Sequence, residues 1–108
     1  MSDLEQVVDL IRKSRYGVAF TGAGVSVESG ISPFRGQNGL WEKYDPIFVE
    51  IEYFRRKPFQ SWTSIKEVFY DVIGQAEPNR AHHILAAMEK RGFIESLITQ
   101  NIDGLHQR

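Results

Sequence analysis

The sequence predicts an α/β fold: a parallel sheet with a small helical module inserted between its first two strands. Two apolar runs, residues 18–21 and 93–99, are rich in β-forming residues and have the length of buried strands. The residues between them show the apolar spacing of helices, and parallel strands require a long connection of this kind. At 108 residues, the chain has the size of one domain with a modest core.

The first element is predicted to be a helix, Asp3–Lys13. Ser2 and Glu5 have the spacing of a capping box, in which each side chain bonds to the backbone of the other residue. Apolar side chains recur on one face of this helix at Leu4, Val7, Val8 and Ile11. We expect that face to cover the sheet, and Gly17 to release the chain into the first strand.

Glycines follow the first strand directly, at Gly22 and Gly24. A glycine turn between a strand and a helix start exposes backbone N–H groups, which together with the helix dipole attract a phosphate. The match to the dinucleotide fingerprint is incomplete, because Val27 stands where its third glycine belongs. On these residues alone, a nucleotide site and an ordinary tight turn both remain open.

The next segment is rich in aromatic residues: ten of the thirteen lie between residues 34 and 70. So many rings indicate packing rather than a solvated linker, and we place a small helical module at about residues 37–76. Asp45 and Pro46 predict the start of one helix, which Pro58 ends. A second helix follows and reaches Gly74.

Another helix is predicted to start at Pro78 and to end at Gly92, with the second strand after it. The polar segments 22–26 and 100–103 then both begin where a strand ends. Ligands of open parallel sheets bind at the carboxyl ends of the strands, so we expect both segments at one ligand-binding edge. The predicted fold is thus part of a Rossmann-like parallel sheet.

Three ordered blocks of the sequence resemble the sirtuins, the family of NAD-dependent protein lysine deacylases. The first contains GAGVS at residues 22–26, ESGI at 28–31 and FRG at 34–36. The second is TQNIDGLH at residues 99–106, and the third contains PN at 78–79, AH at 81–82 and EKRG at 89–92. The resemblance spans essentially residues 1–108 and corresponds to the amino-terminal part of the family's catalytic core.

The resemblance implies NAD as the cofactor and an acetylated lysine of a protein as the substrate. The acetyl group would pass to ADP-ribose as nicotinamide is released. Asn101 would be the catalytic residue in this chain, Asp103 would hold the nicotinamide carboxamide, and Phe34 would shield the ribose carbon from water. The positions implied to bind the cofactor are Gly22, Ala23, Gly24, Ser26, Phe34, Arg35, Gln100, Asn101, Ile102 and Asp103.

The sequence departs from the family pattern in the cofactor loop, where Ser32 and Pro33 replace a proline followed by aspartate or threonine. Moving the proline predicts a different loop path before Phe34. In sirtuins the base histidine and a four-cysteine zinc module lie further along, and residues 1–108 contain no counterpart. We therefore expect no metal site here, zinc only in that further region, and an incomplete chain that is inactive alone.

Three alternatives remain open on the sequence. A relative of the sirtuins could hydrolyse NAD in the same pocket with water as acceptor, although a water-shielding Phe34 argues against this. A non-catalytic module could bind NAD or ADP-ribose. A purely structural α/β fragment is the third alternative, in which Ser26 would be a cap or turn residue and residues 101–104 a turn.

His82 is expected to be structural rather than a metal ligand. His82 and His83 are adjacent on a predicted helix, so their side chains point about 100° apart and do not form a metal-binding pair. His106 lies close to Asp103 in the sequence, but the base of the resembled family lies further along. We therefore do not assign His106 as the base.

Composition limits the partners. The formal net charge of −1 gives no electrostatic reason to expect a nucleic acid or an anionic membrane as a partner, and the chain has no cysteine for a disulfide or thiolate zinc site. No apolar run approaches the ~20 residues that span a bilayer, and the start lacks a signal region, so we expect a cytoplasmic protein. An exposed side of the half sheet predicts poor solubility or self-association.

The acyl preference also has a sequence indicator. Sirtuins that remove acidic acyl groups carry a Tyr-x-x-Arg pair on the second helix of the small module. Depending on the placement of a gap, those positions hold Ile65 with Val68 or Lys66 with Phe69. We therefore expect an acetyl or plain aliphatic group on the substrate lysine.

Overall fold

The computed structural model describes residues 2–35 and 39–108, and they form the predicted α/β fold. Gly36 and the predicted first residue of the helical module, at position 37, lie outside the described residues. Two parallel strands, β1 (Val18–Thr21) and β2 (Ser96–Thr99), pair in register from Val18 with Ser96 to Thr21 with Thr99. No helix in the described ranges is long and apolar enough to cross a membrane.

The second strand is shorter than predicted, because residues 93–95 turn into it from the preceding helix. The Glu95 backbone N–H donates to the Gly17 carbonyl at 2.7 Å, just before the two strands begin to pair. A Cβ on Gly17 would stand 2.7 Å from the Phe93 carbonyl oxygen. Gly17 is thus required by the close approach of two backbones at the start of the sheet.

Helix α1 (Asp3–Lys13) has the predicted bounds and the predicted capping box between Ser2 and Glu5. The expectation that it covers the sheet is wrong for the described residues, since α1 has no buried residue and Leu4 is 74% exposed. An apolar stripe indicates that a face is suited to burial, but it does not specify the surface that buries it.

The helical module consists of short segments of different pitch. Its α-helices are α2 (Leu40–Lys43), α3 (Ile51–Arg56) and α4 (Pro58–Ile65). Asp45 caps a 3₁₀ turn, Pro46–Val49, by accepting the Ile47 backbone N–H, as its position before proline predicts. The single helix predicted from there is interrupted at Glu50, which has extended backbone angles.

The second predicted helix of the module continues beyond α4 with changed geometry. Residues Lys66–Val72 are π-helical and Ile73–Gln75 form a 3₁₀ turn. A π-helical segment widens the helix locally and alters the direction of its side chains. Four side chains of this part face a cavity described below: Val68, Phe69, Val72 and Ile73.

Aromatic contacts hold the module together around Phe48, which is 5% exposed. The Phe48 ring packs edge-on against Trp41 and Tyr44 and lies 6.4 Å from the Phe69 ring, centroid to centroid. The fully buried Ser61 on α4 donates its hydroxyl to the Phe48 carbonyl at 2.6 Å. The clustered rings are therefore packing residues, as the composition predicts.

Helix α5 (Arg80–Lys90) begins two residues later than predicted, because Asn79 is its cap. Asn79 Oδ1 accepts the backbone N–H groups of Ala81 and His82. The helix ends as predicted, with Gly92 in the left-handed region at φ 82°. Pro78 fixes the backbone just before the cap and does not begin the helix.

The interior core is small, and one face of the sheet is open. Ile31, Ala76 and Leu105 form the buried apolar cluster, with Ile73 packed against it. On the sheet, the exposed side chains of one face are Val18, Phe20 and Ile98, at 47%, 69% and 53%. This exposed face confirms the expectation of a half-covered sheet, while self-association remains a prediction.

Truncation of the buried core should destabilise the chain strongly. Leu105 is 1% exposed, so Leu105→Ala should lower the free energy of unfolding by about 2–5 kcal/mol. Leu10→Ala on α1 removes the same atoms from a side chain that is 69% exposed. It should change the free energy of unfolding by less than about 0.5 kcal/mol. Urea unfolding followed by circular dichroism measures both, and equal losses would contradict this description of the core.

Candidate functional site

The carboxyl ends of the two strands are joined by hydrogen bonds between the two polar segments. The Gln100 backbone N–H donates to the Thr21 carbonyl at 3.2 Å, and Asn101 Nδ2 donates to the Gly22 carbonyl at 2.8 Å. Gly22 has no room for a side chain, since a Cβ there would stand 2.7 Å from Gln100 Nε2. The two segments therefore share one edge of the sheet, as the strand assignments predict.

A second bond between the segments is buried. Ser26 Oγ donates to Asp103 Oδ2 at 2.6 Å, and the two residues are 1% and 8% exposed. Asp103 Oδ1 accepts the Leu105 backbone N–H at 3.0 Å, across Gly104 in the left-handed conformation. Ser26 lies inside the 3₁₀ helix Ala23–Ser29 and is not its cap. Its hydroxyl compensates the Asp103 carboxylate, whose burial would otherwise be costly.

His82 extends this pair into a chain of hydrogen bonds. His82 Nδ1 accepts the Asn79 backbone N–H at 3.1 Å, and Nε2 lies 3.4 Å from Ser26 Oγ. Because Nδ1 is an acceptor, the ring proton is on Nε2 and points at Ser26. Burial lowers the pKa of His82 most, His106 and His83 lower it further, and Asp103 opposes them. The ring is therefore held neutral within the site.

His106 is hydrogen-bonded at the carboxyl ends of the two strands. Its Nε2 lies 2.8 Å from Thr21 Oγ1, and Thr21 Oγ1 donates to Thr99 Oγ1 at 2.9 Å. The His106 and His82 rings meet edge to face with centroids 4.8 Å apart. These contacts agree with a structural interpretation of His82. No group of side chains suited to a metal ion occurs in residues 2–35 and 39–108.

A cavity of about 130 Å³ lies between the sheet edge and the helical module. Ser26, Asn101 and Asp103 contribute polar atoms to this cavity, and the π-helical segment contributes apolar ones. Its full lining is Ala23, Ser26, Ile31, Ser32, Phe34, Leu40, Lys43, Tyr44, Val68, Phe69, Val72, Ile73, Asn101, Ile102 and Asp103. A few polar groups thus face a space whose lining is mostly apolar, as in small-molecule sites.

A wider and more open depression of about 740 Å³ adjoins the cavity. Ala23, Phe34, Phe69 and Asn101 line both spaces, and Arg35 and Gln100 line only the open one. The Phe34 ring stacks on Trp41 with centroids 5.4 Å apart, which fixes it in the shared wall.

The predicted site residues therefore gather at one edge, although their roles remain predictions. Ala23, Ser26, Asn101 and Asp103 line the cavity, as does Ile102, which is 71% exposed. Gly24 contributes no wall, and the place where its Cβ would stand is open space. Of the remaining predicted positions, Phe34 lines both spaces, Arg35 and Gln100 line the open depression, and Gly22 packs against Gln100.

Phe34 lies in the cavity wall although the proline before it stands at Pro33, one position later than in the family pattern. The Pro33 carbonyl accepts the Leu40 backbone N–H at 2.7 Å, and the Phe34 carbonyl accepts that of Trp41 at 3.0 Å. A Cβ on Gly39 would stand 2.9 Å from the Phe34 carbonyl oxygen. The Pro33 and Phe34 carbonyls thus hold the first N–H groups of α2, and these bonds fix residues 33 and 34 against that helix.

Sequence reasoning missed the role of Asn79. Besides capping α5, its Nδ2 donates to the Val25 carbonyl at 2.8 Å and to Ser29 Oγ at 3.0 Å. Asn79 therefore ties α5 to the 3₁₀ helix that carries Ser26. Asparagine before a helical pattern indicates a cap, but its second set of partners lies 50 and 54 residues away and leaves no local signal.

Comparisons with known proteins agree with this geometry. The sequence model of the Sir2 family matches residues 22–108. An NAD-dependent protein deacetylase of Sulfurisphaera tokodaii is 50% identical over 109 residues, covering 97% of this chain and 42% of the relative. The chain therefore spans about two fifths of the length of that relative.

Solved structures are similar over the same portion. A Sir2 structure with a deacetylated p53 peptide and 3'-O-acetyl ADP-ribose has a TM-score of 0.91 at 44% identity. The match covers 99% of this chain and 43% of that one. A structure of Sir2 bound to acetylated peptide has a TM-score of 0.83 at 40% identity, over 99% of this chain and 41% of that one.

The neutral His82 should make stability depend on pH. Because its folded pKa is lowered, the unfolded chain takes up the proton first as the pH falls below about 6.5, the ordinary value. The contribution of His82 is therefore complete above that pH and is lost below it. Urea unfolding of the wild type at pH 7.5 and pH 5.5 should give a lower free energy of unfolding at pH 5.5.

Two variants separate the pH dependence of stability that is due to His82 from that due to other titratable groups. His82→Asn keeps an acceptor for the Asn79 backbone N–H but cannot titrate, so it should reduce the difference between the two pH values. His83→Asn alters the exposed neighbour on α5 and should leave most of that difference in place. An undiminished pH dependence in His82→Asn would contradict the assignment.

Proposed function

Because the chain belongs to the Sir2 family, we propose that this protein is an NAD-dependent protein lysine deacetylase and that the chain supplies the cofactor-binding side of its active site. The observation that carries the proposal is the buried Ser26–Asp103 bond in the wall of a mostly apolar cavity. The 50% identity to an NAD-dependent protein deacetylase supports the reaction class. The acetyl transfer itself is proposed for the protein, since the chain spans 42% of that relative.

The residues at the cavity fit the nicotinamide end of NAD. A dry cavity of about 150 Å³ holds a benzene ring, so the 130 Å³ here suits one aromatic ring. The Asp103 carboxylate can accept the N–H groups of a carboxamide, because each oxygen can accept a further bond beyond its bond to the protein. The open depression beside it leaves room for the ribose and phosphates near Ala23, Arg35 and Gln100.

NAD, when bound, supplies the ADP-ribosyl group that takes up the acetyl group as nicotinamide leaves. In this proposal Asp103 orients the leaving carboxamide, and Asn101, tied to the Gly22 carbonyl, lies where both spaces meet. Phe34, in the wall shared by the two spaces, excludes water from the reacting carbon. Precise holding of the leaving group and a dry site are the two contributions these residues make.

We also propose that the acyl group is acetyl or a short aliphatic chain. The module positions that would hold an acidic acyl group offer no clamp in the cavity. Val68 and Phe69 line it with apolar surface, and the Lys66 ammonium is paired with Asp71 at 3.0 Å on the exposed side. Lys43 at the cavity rim is exposed and keeps its ammonium hydrated.

The reaction is tested by incubating the protein with NAD and an acetyl-lysine peptide and quantifying nicotinamide and acetylated ADP-ribose by mass spectrometry. A chimera in which this chain replaces the matching segment of the Sulfurisphaera tokodaii deacetylase tests its residues at the relative's full length. We expect peptide-dependent release of both products. Nicotinamide release without peptide would instead indicate NAD hydrolysis, and binding without release would indicate a binding module.

Asp103→Asn should lower peptide-dependent nicotinamide release by about 100-fold, because misplacement of the leaving group costs about that much in rate. The side chain keeps its size, so the melting temperature should change little. Asp71→Asn is the matched control: it neutralises an exposed carboxylate that pairs with Lys66, and it should retain wild-type activity. Equal activity of the two variants would contradict the role given to Asp103.

A further inference from the structure

His106 lies where two hydrogen-bond chains of the site meet. One chain runs from the Asn79 backbone through His82 and Ser26 to Asp103. The other starts at His106 Nε2 and passes through the strand-end hydroxyls Thr21 and Thr99. The His106 ring belongs to the second chain and touches the first, since it packs edge to face on His82.

The second chain has a defined direction. A hydroxyl has one proton to donate, and Thr21 gives its proton to Thr99. Thr21 must therefore accept from His106, which places the ring proton of His106 on Nε2. Thr99 Oγ1 in turn accepts the Asn101 backbone N–H at 3.1 Å, so the chain that starts at His106 ends on a residue of the cavity.

His106 is thus connected to both Asn101 and Asp103 in the cavity wall. Through Thr21 and Thr99 it fixes the backbone of Asn101, whose side chain donates to the Gly22 carbonyl. Through its ring contact it fixes His82, and thereby the Ser26 hydroxyl that bonds to Asp103. His106 is itself only half-buried and does not line the cavity, so any effect it has on a ligand is indirect.

We propose that His106 is a positioning residue for the nicotinamide end of the cofactor, which aligns Asn101 and Asp103 through the Thr21–Thr99 hydroxyl chain and the His82 ring. The ligand it serves rests on the proposed function, whereas the coupling between the two chains rests on the structure alone. The experiments below therefore include one measurement that needs no activity.

The coupling of the rings can be measured by NMR in the absence of NAD, since the sequence has only three histidines. The titratable groups that act on His82 in the described chain are Asp103, His83 on its own helix, and His106. His106→Gln keeps an N–H donor for Thr21 but removes the neighbouring protonatable ring. It should raise the pKa of His82, and His83→Gln should raise it less. An unchanged His82 titration in His106→Gln would overturn the coupling.

Positioning is tested on nicotinamide release and on inhibition by added nicotinamide. His106→Phe keeps a ring against His82 but has no donor for Thr21. It should lower kcat/KM for NAD and weaken inhibition by nicotinamide, each by about three- to tenfold, as loss of one buried hydrogen bond does. His106→Gln should restore both to within about twofold, and the control His83→Gln should match the wild type.

A double-mutant cycle identifies the bond responsible. Thr21→Val removes the accepting hydroxyl with little change in shape and should reproduce the effects of His106→Phe. The combined variant should be no worse than Thr21→Val alone, because that change already removes the bond to His106 together with the bond to Thr99. Additive losses, or no loss in either single variant, would overturn the proposal. If His106→Phe does not fold, Thr21→Val and His106→Gln still test whether the bond between His106 and Thr21 positions the cavity residues.

A chimera with the wild-type residues of this chain that releases no nicotinamide would refute the proposed function and leave the coupling measurable. In that case the NMR titration, together with calorimetric binding of nicotinamide to the wild type and to Thr21→Val, reports on the two chains separately. A normal wild type with unaffected variants would instead refute the positioning role alone.

Discussion

A buried carboxylate has to be compensated by hydrogen bonds inside the protein, and Asp103 meets this requirement through Ser26, 77 residues earlier in the chain. The bond joins the 3₁₀ helix after β1 to the loop after β2, so it closes the edge at which both strands end. Removing either partner would take one hydrogen bond from a buried polar group, leaving Asp103 with the Leu105 N–H or Ser26 with the longer His82 contact. The position of both polar segments, and hence the shape of the cavity, follows from this constraint.

The surroundings of the bond restrict it from two sides. Asn79 fastens the 3₁₀ helix to α5 and aims the His82 ring at Ser26. Phe34 and the π-helical segment line the cavity whose wall also includes Ser26 and Asp103. The helices and turns around the bond are short and bury few apolar side chains. The site is therefore organised by directional hydrogen bonds more than by apolar burial.

This organisation suits recognition of a planar amide beside a reactive carbon. Polar groups in the cavity wall can orient a carboxamide, while the apolar lining excludes water from the adjoining space. The exposed faces of α1 and of the sheet are not part of that lining, and the cavity does not depend on them. The described residues thus form a preorganised cavity with hydrogen-bonding groups, in a chain that spans about two fifths of the length of the Sulfurisphaera tokodaii relative.

The sequence by itself determined what depends on neighbouring residues: the bounds of α1, the parallel strands, the end of α5 at Gly92 and the edge at which residues 22–26 and 100–103 meet. Capping, periodicity and glycine turns act over a few residues, so they can be read locally. Only the tertiary structure decided the Ser26–Asp103 bond, the second role of Asn79, the break at Glu50 and the place of His106. Those features depend on which distant groups meet when the chain packs, and sequence spacing carries no record of such pairs.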